Sequence, residues 1–411
     1  MRIMWLCNTP LPEICSALGM TCHTESWLIG ISNQLRINND IELHYVFPQG
    51  VRKRIVHRKI NNIVFWGFYD IHKNLFHIEN ENIKMFSELT NNIKPDIIHI
   101  FGTELPHSLE CVKSLYDTSR VIVSIQGLTS EIAKVYLEGI PFRDKVIGRF
   151  VNKQYISLLT ERYEFYRRGQ NEKGLLRNVK NVIGRTDWDQ KCVKTINPKC
   201  HYSYCSETLR EVFYDGKWDI NHIQRNSIFV SQAYYPIKGL HVLIRAIPFI
   251  SRQFPNVRVY VAGNKNFLEN GNHYGAYIKK LMKKYHAEKQ ISFLGMLSDK
   301  KIKERLLSAH ISVMPSIIEN SPNSIGEAMI LGTPIVAANV GGIPSIVRDG
   351  VDGYLYSSGN ERELARAICR IFMNDAVALK LSNREYRQSR NLYSRESNAQ
   401  QLIEIYKQVA R

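Results

Sequence analysis

Two successive series of short apolar runs, each run separated from the next by an amphipathic stretch, constrain this chain more than any other feature. The first series has runs at 3–7, 42–46, 63–68, 97–101, 120–125 and 179–183, with amphipathic segments such as 26–35 and 84–92 between them. The second has runs at 227–231, 257–262, 291–294, 311–314 and 335–338. Runs of this length without polar alternation are strands buried on both faces, and strand–helix alternation predicts a parallel sheet covered by helices. A polar stretch at 205–226 separates the two series. The expectation is therefore two doubly wound α/β domains: residues 1–210, and residues 211–392. A last helical stretch, about 393–411, is expected to cross back onto the first. The chain's 411 residues suit two such domains.

Within the second series, residues 314–355 carry the most chemistry. An apolar run ends in Pro315-Ser316 and a polar loop with Glu319 follows. A helix is expected to open near Asn323 with Glu327 in its first turn. Gly332-Thr333-Pro334 leads into the next run, which Gly341-Gly342 closes. Ligands of open parallel sheets bind at the carboxyl ends of strands, where helices begin. A helix start presents unpaired N–H groups that suit a phosphate. Two carboxylates beside a phosphate would repel it, so Glu319 and Glu327, with seven residues between them, are expected to meet neutral hydroxyls instead. A carboxylate accepts two hydrogen bonds side by side, which matches a vicinal diol. A phosphate flanked by diols describes a nucleotide sugar. The competing account of Glu327 alone is a carboxylate serving the helix N-terminus.

The segment resembles the Glu-x7-Glu signature of the retaining glycosyltransferases of family 4. That resemblance implies the GT-B fold, two Rossmann-like doubly wound domains facing each other across a cleft. It assigns Glu327 to the ribose diol and Glu319 to the donor sugar, near charge developing at the anomeric carbon. Asn320, Ser321, Asn323 and Ser324 would hold sugar and diphosphate, largely through backbone amides. Lys238, before Gly239, matches the lysine expected on the diphosphate. Gln232 stands where the family usually has an arginine, so one cation is missing or is supplied elsewhere, with Arg185 a candidate. Gln126-Gly127 replaces a more usual His-Gly; an amide exchanges no proton near neutral pH. The glycine pair usual after the first strand is also missing, leaving Gly19 as the diphosphate contact. On the acceptor side the resemblance points to Glu104, Arg185 and Asp189. His99, inside an apolar run, is expected to be a packed, hydrogen-bonded histidine.

A net charge of +17 favours acidic partners. Segment 143–180 carries ten Lys and Arg against four acidic residues, interleaved with Phe142, Phe150, Tyr155, Tyr163, Phe165 and Tyr166. It is a candidate for docking on anionic lipid; no nucleic-acid motif accompanies it. No run of apolar residues is long enough to span a bilayer. The eight cysteines, with no Cys-x-x-Cys pair and no export signal, fit a reducing cytoplasm. No Asp-x-Asp pair is read at a strand end, so neither metal nor cofactor is expected. The activity expected is retaining transfer of a hexosyl group from a nucleoside-diphosphate sugar to a hydroxyl acceptor. That acceptor is a lipid-linked (polyprenyl-diphosphate) or oligosaccharide intermediate of surface polysaccharide, at the inner membrane face. The rivals are a nucleotide-sugar epimerase and a non-catalytic nucleotide-sugar-binding subunit.

Overall fold

The computed structural model describes residues 1–20, 26–50, 55–70, 74–151, 154–269 and 272–411. Strands are numbered along the chain. The first series gives β1 (Arg2–Leu6), β2 (Glu42–Gln49), β3 (Val56–Ile60), β4 (Ile63–Tyr69), β5 (Ile97–Phe101) and β6 (Val121–Ser124). A small hairpin follows, β7 (Gly148–Val151) and β8 (Gln154–Ser157), then β9 (Asn181–Gly184) and β10 (His201–Tyr204). The second series gives β11 (Gln224–Val230), β12 (Arg258–Ala262), β13 (Ile291–Gly295), β14 (Ala309–Met314), β15 (Ile335–Ala338) and β16 (Tyr354–Tyr356).

The chain forms two compact units, Met1–Glu131 with Glu164–Thr208 and Ser394–Arg411, and Ile132–Tyr163 with Leu209–Tyr393. The first holds an eight-stranded sheet in the order β10-β9-β6-β5-β1-β2-β4-β3. All its pairings are parallel except β3 with β4. Along β1, Ile3 and Trp5 enter one apolar cluster while Met4 and Leu6 enter the cluster on the opposite face. This is the period-2 alternation of a sheet covered on both sides. The C-terminal helix Arg395–Ala410 supplies Leu402 and Tyr406 to the first of these clusters. There the Trp5 indole N–H donates to the Tyr406 hydroxyl at 2.9 Å.

Unit two has a six-stranded, wholly parallel sheet, β13-β12-β11-β14-β15-β16. Its strand order reverses between β11 and β14, so the loops leaving these two strands flank the switch point where such sheets bind ligands. Residues 132–163, read from the sequence as part of the first domain, group here with the second unit. Polar ties help to hold them. Arg245 donates to the Gly139 carbonyl at 2.5 Å, and the Lys280 ammonium meets the Asp144 carboxylate at 2.8 Å. Among the described residues, no helix is long and apolar enough to cross a membrane. The seven described cysteines are free, and Cys22 lies outside the described residues.

His99 is buried in β5, with Nδ1 at 2.6 Å from the Tyr406 hydroxyl and Nε2 at 2.7 Å from Ser124 Oγ. Burial pushes its pKa down to about 3. It is a packed histidine held neutral by its surroundings. Its imidazole NMR signals are expected to keep neutral-form positions from about pH 8 to about pH 5, and a transition near the ordinary value would contradict this.

Candidate functional site

The site grows from the two loops at the switch point of the second unit. After β11, a short turn at Pro236–Lys238 carries Lys238. After β14, Pro315 to Pro322 lead into the helix Asn323–Leu331. The two loops are stitched by the Ile317 amide, which donates to the Ile237 carbonyl at 2.7 Å. Gly239 has φ +67, and a Cβ there would lie 1.8 Å from the Pro315 carbonyl oxygen. Only glycine permits both that backbone conformation and that approach. The lysine turn is thereby pressed onto the glutamate loop.

Glu319 is fixed from both ends. Its Oε1 takes the Lys238 ammonium at 2.6 Å and the Ser316 hydroxyl at 2.8 Å. Its carbonyl accepts the Gly342 amide at 3.0 Å. A Cβ on Gly341, where φ is +52, would fall 1.9 Å from that same carbonyl oxygen. The Gly-Gly pair after β15 therefore serves to seat the Glu319 backbone. The side chains of Lys238 and Glu319 are 14% and 11% exposed, enough to reach the cavity and too little for water to dissolve the pair. Burial works against the Lys238 charge. The adjoining Glu319 carboxylate outweighs it and holds the ammonium above its ordinary pKa.

Glu327 stands in the second turn of its helix, not the first, and no acidic residue occupies the first turn. The account in which it merely serves the helix N-terminus is thereby removed. Its carboxylate is buried and gripped by Arg210, whose Nε and Nη2 each donate to one oxygen at 2.7 Å. Arg210 also reaches Asp299 at 2.5 Å. Burial pushes the Glu327 carboxyl above the ordinary range, opposed by the Arg210 hydrogen bonds and charge.

These groups line one open cavity of about 540 Å³, which brings together Gln232, Lys238, Glu319, Asn323, Ser324 and Glu327. Arg210, Tyr234, Asn264, Met296 and Leu297 share the wall. Gly263 and Asn264, which follow β12, and Met296, which follows β13, bring the ends of those strands to the same wall. Asn320, within the loop, is buried, and neither it nor Ser321 belongs to the cavity wall. Sequence reasoning missed Arg210 and Asp299, since a contact 117 residues away leaves no periodicity or spacing to detect.

In the first unit, Gln126 and Arg185 converge on Glu207, at 2.8 and 2.6 Å. Glu207 was not singled out by any sequence pattern. Asp189 is fully buried and accepts the Arg185 amide at 3.1 Å and the Tyr202 hydroxyl. It braces the turn after β9 and has no face for an acceptor, which corrects its assignment. Asp187 and Asp189 do follow a strand with one residue between them, a spacing the sequence reading passes over. Among the described residues, no three His, Cys, Asp or Glu side chains are grouped to hold a metal ion.

Glu104 follows β5 and accepts from Asn8, which follows β1, at 2.5 Å, so it marks the strand-order reversal of this unit. Burial pushes its carboxyl above the ordinary range. Gly19, with φ +66, ends the helix Pro12–Leu18 in the left-handed conformation, and only Met20 separates it from the undescribed residues 21–25.

Residues 215–390 match the family model for glycosyl transferases group 1. This stretch contains Lys238, Glu319 and Glu327 and falls within the second unit. An uncharacterized glycosyltransferase of Methanocaldococcus jannaschii is 27% identical over 180 residues, 44% of each chain. The chain thus matches less than half the length of that relative. Among solved structures, sucrose-phosphate synthase from Thermosynechococcus elongatus superposes with a TM-score of 0.72 at 15% identity, over 100% of this chain and 99% of its own. Anabaena HepE, solved in complex with UDP and glucose, gives 0.69 at 16% identity, over 98% and 99%. The fold is GT-B, built of two Rossmann-like units.

Proposed function

We propose that this chain is a retaining glycosyltransferase whose donor, a nucleoside-diphosphate hexose, binds in the cavity of the second unit. The observation that carries this reading is the joint placement of Glu319, Lys238 and Glu327 around the start of the helix Asn323–Leu331. Glu327 accepts from the ribose diol. Asn323 and Ser324 offer helix-start amides to the diphosphate. Glu319 orients the sugar hydroxyls and stabilises positive charge at the anomeric carbon, while Lys238 stabilises the departing diphosphate.

In the reaction, the bond from the anomeric carbon to the β-phosphate oxygen breaks. The acceptor oxygen bonds to the same face, and its proton passes to the leaving phosphate. No protein base is needed on this route, and Gln126 cannot act as one. The group 1 match and the UDP complexes of the structurally similar HepE support a nucleotide-sugar donor.

The acceptor is a hydroxyl of a lipid-linked or oligosaccharide intermediate of surface polysaccharide, met at the cytoplasmic face of a membrane. Support comes from the +17 net charge and from exposed Phe142 and Ile147 beside Arg143 and Lys145. Of the same basic stretch, Lys153 lies outside the described residues, as do the side chains of Arg149, Phe150 and Tyr155.

Product analysis with UDP- and GDP-hexoses tests the proposal. Transfer to acceptor with the donor's anomeric configuration kept is expected. Epimerised free nucleotide sugar, or binding without turnover, would replace it with an epimerase or a binding subunit.

A further inference from the structure

The second unit holds another cavity, of about 370 Å³, which shares no residue with the donor cavity. It lies where the helix Leu240–Ser251 packs on the helix Glu361–Phe372. Arg252, Arg362 and Arg366 line it, and no acidic residue does. All three arginines are exposed, and among the described residues none of them makes an ion pair or a side-chain hydrogen bond. Other exposed arginines of this chain do pair, as Arg225 does with Asp375 and Arg348 with Asp352. Glu363 feels the charge of Arg366, but its carboxylate accepts the Ser357 amide at 2.8 Å.

The cations are arranged rather than scattered. Arg362 and Arg366 stand four residues apart and so share one face of their helix, a placement that costs stability for like charges. The guanidinium carbons of Arg252 and Arg362 come from the two sides of the groove and lie 5.7 and 5.4 Å from the centre of the Phe249 ring. Ala365 and Cys369 complete the lining from the buried side, and their small side chains leave the space open. Three forked donors around one space match the oxygens of a phosphoryl group, which guanidinium binds two at a time. The volume is that of a small-molecule pocket. We infer that this groove is a second anion site, for a phosphate or diphosphate ester, held by Arg252, Arg362 and Arg366. The ester is either a soluble metabolite or the headgroup of a phospholipid.

The test titrates two probes at constant ionic strength: inorganic pyrophosphate for a soluble ester, and phosphatidylglycerol vesicles for a headgroup. At least one should bind wild type, and the double variant Arg362→Gln, Arg366→Gln should bind it roughly tenfold or more weakly. Arg362→Lys with Arg366→Lys keeps the charge without the fork and should fall between the two. Lys113→Gln with Lys199→Gln removes the same charge from exposed positions elsewhere and should bind as wild type does. Glu319→Gln with Lys238→Met changes the donor cavity alone and should also keep the binding. Dependence on the two arginines for pyrophosphate assigns a soluble ester, and for vesicles a headgroup. Equal weakening by the two glutamine pairs would reduce the effect to the net charge of +17 and overturn the site. Binding lost only in the donor-cavity variant, unchanged without the arginines, or absent for both probes would overturn it as well. None of these outcomes bears on the donor reading.

Discussion

Glu319→Gln is expected to lower turnover by about 10²–10³-fold while changing donor affinity far less. The substitution preserves shape and the ability to accept a hydrogen bond from Ser316, which lies 2.8 Å away. In the proposed reaction it removes the negative charge that faces the developing cation, a charge that matters in the transition state more than in the bound donor. The substitution also leaves the Lys238 ammonium, 14% exposed, without its carboxylate. Breaking a buried pair from one side costs about 3–5 kcal/mol, so thermal stability should fall together with turnover. Adding Lys238→Met should restore much of the stability and none of the turnover. Steady-state kinetics alongside thermal denaturation separates the effects. Turnover within about threefold of wild type would remove Glu319 from the chemistry.

The second large effect is steric. Gly341→Ala should destabilise the second unit by about 3 kcal/mol or more and depress turnover, although it replaces no side chain assigned to the substrate. A new Cβ would overlap the Glu319 carbonyl oxygen at 1.9 Å, and φ +52 adds left-handed strain. Relief requires moving the Glu319 backbone, and with it the carboxylate. Gly350 is the internal control: its φ is +69, but nothing lies within 4 Å of where its Cβ would stand. Gly350→Ala should cost only the conformational strain of about 1–2 kcal/mol and leave turnover unchanged. Equal losses in the two variants would show that backbone strain, not the seating of Glu319, explains the glycine.

What the sequence disclosed follows from burial. β1, β5 and the inner strands β14 and β15 are covered on both faces, so they appear as largely apolar runs. β3, Val-His-Arg-Lys-Ile, is an antiparallel edge strand with three exposed polar residues and gives no such signal. β10 and β16 are also edge strands: β10 mixes polar and half-exposed residues, and β16 is only three residues long, so neither forms an apolar run.

At the site, Glu319, Lys238 and Glu327 were legible because local turn chemistry frames each of them: Pro-Ser, Lys-Gly, Gly-Thr-Pro and Gly-Gly. The reasons for the framing were not. Gly341-Gly342 looks like a turn and proves to be a seat for Glu319, because its tight contact lies 22 residues away. Arg210 and Asp299 are ordinary charged residues in polar stretches, and only the folded chain makes them partners. The segment 132–163 looked like more of the first domain, since a tie such as Asp144 to Lys280 spans 136 residues and has no local signature.

The central claim, that this cavity grips a sugar nucleotide through its paired carboxylates, is tested most directly by calorimetric titration. UDP- and GDP-hexoses would be titrated into wild type and Glu327→Ala. One donor class should bind wild type and bind the variant roughly tenfold or more weakly. Equal affinity in the two proteins, or no binding of any nucleotide sugar to wild type, would contradict the account.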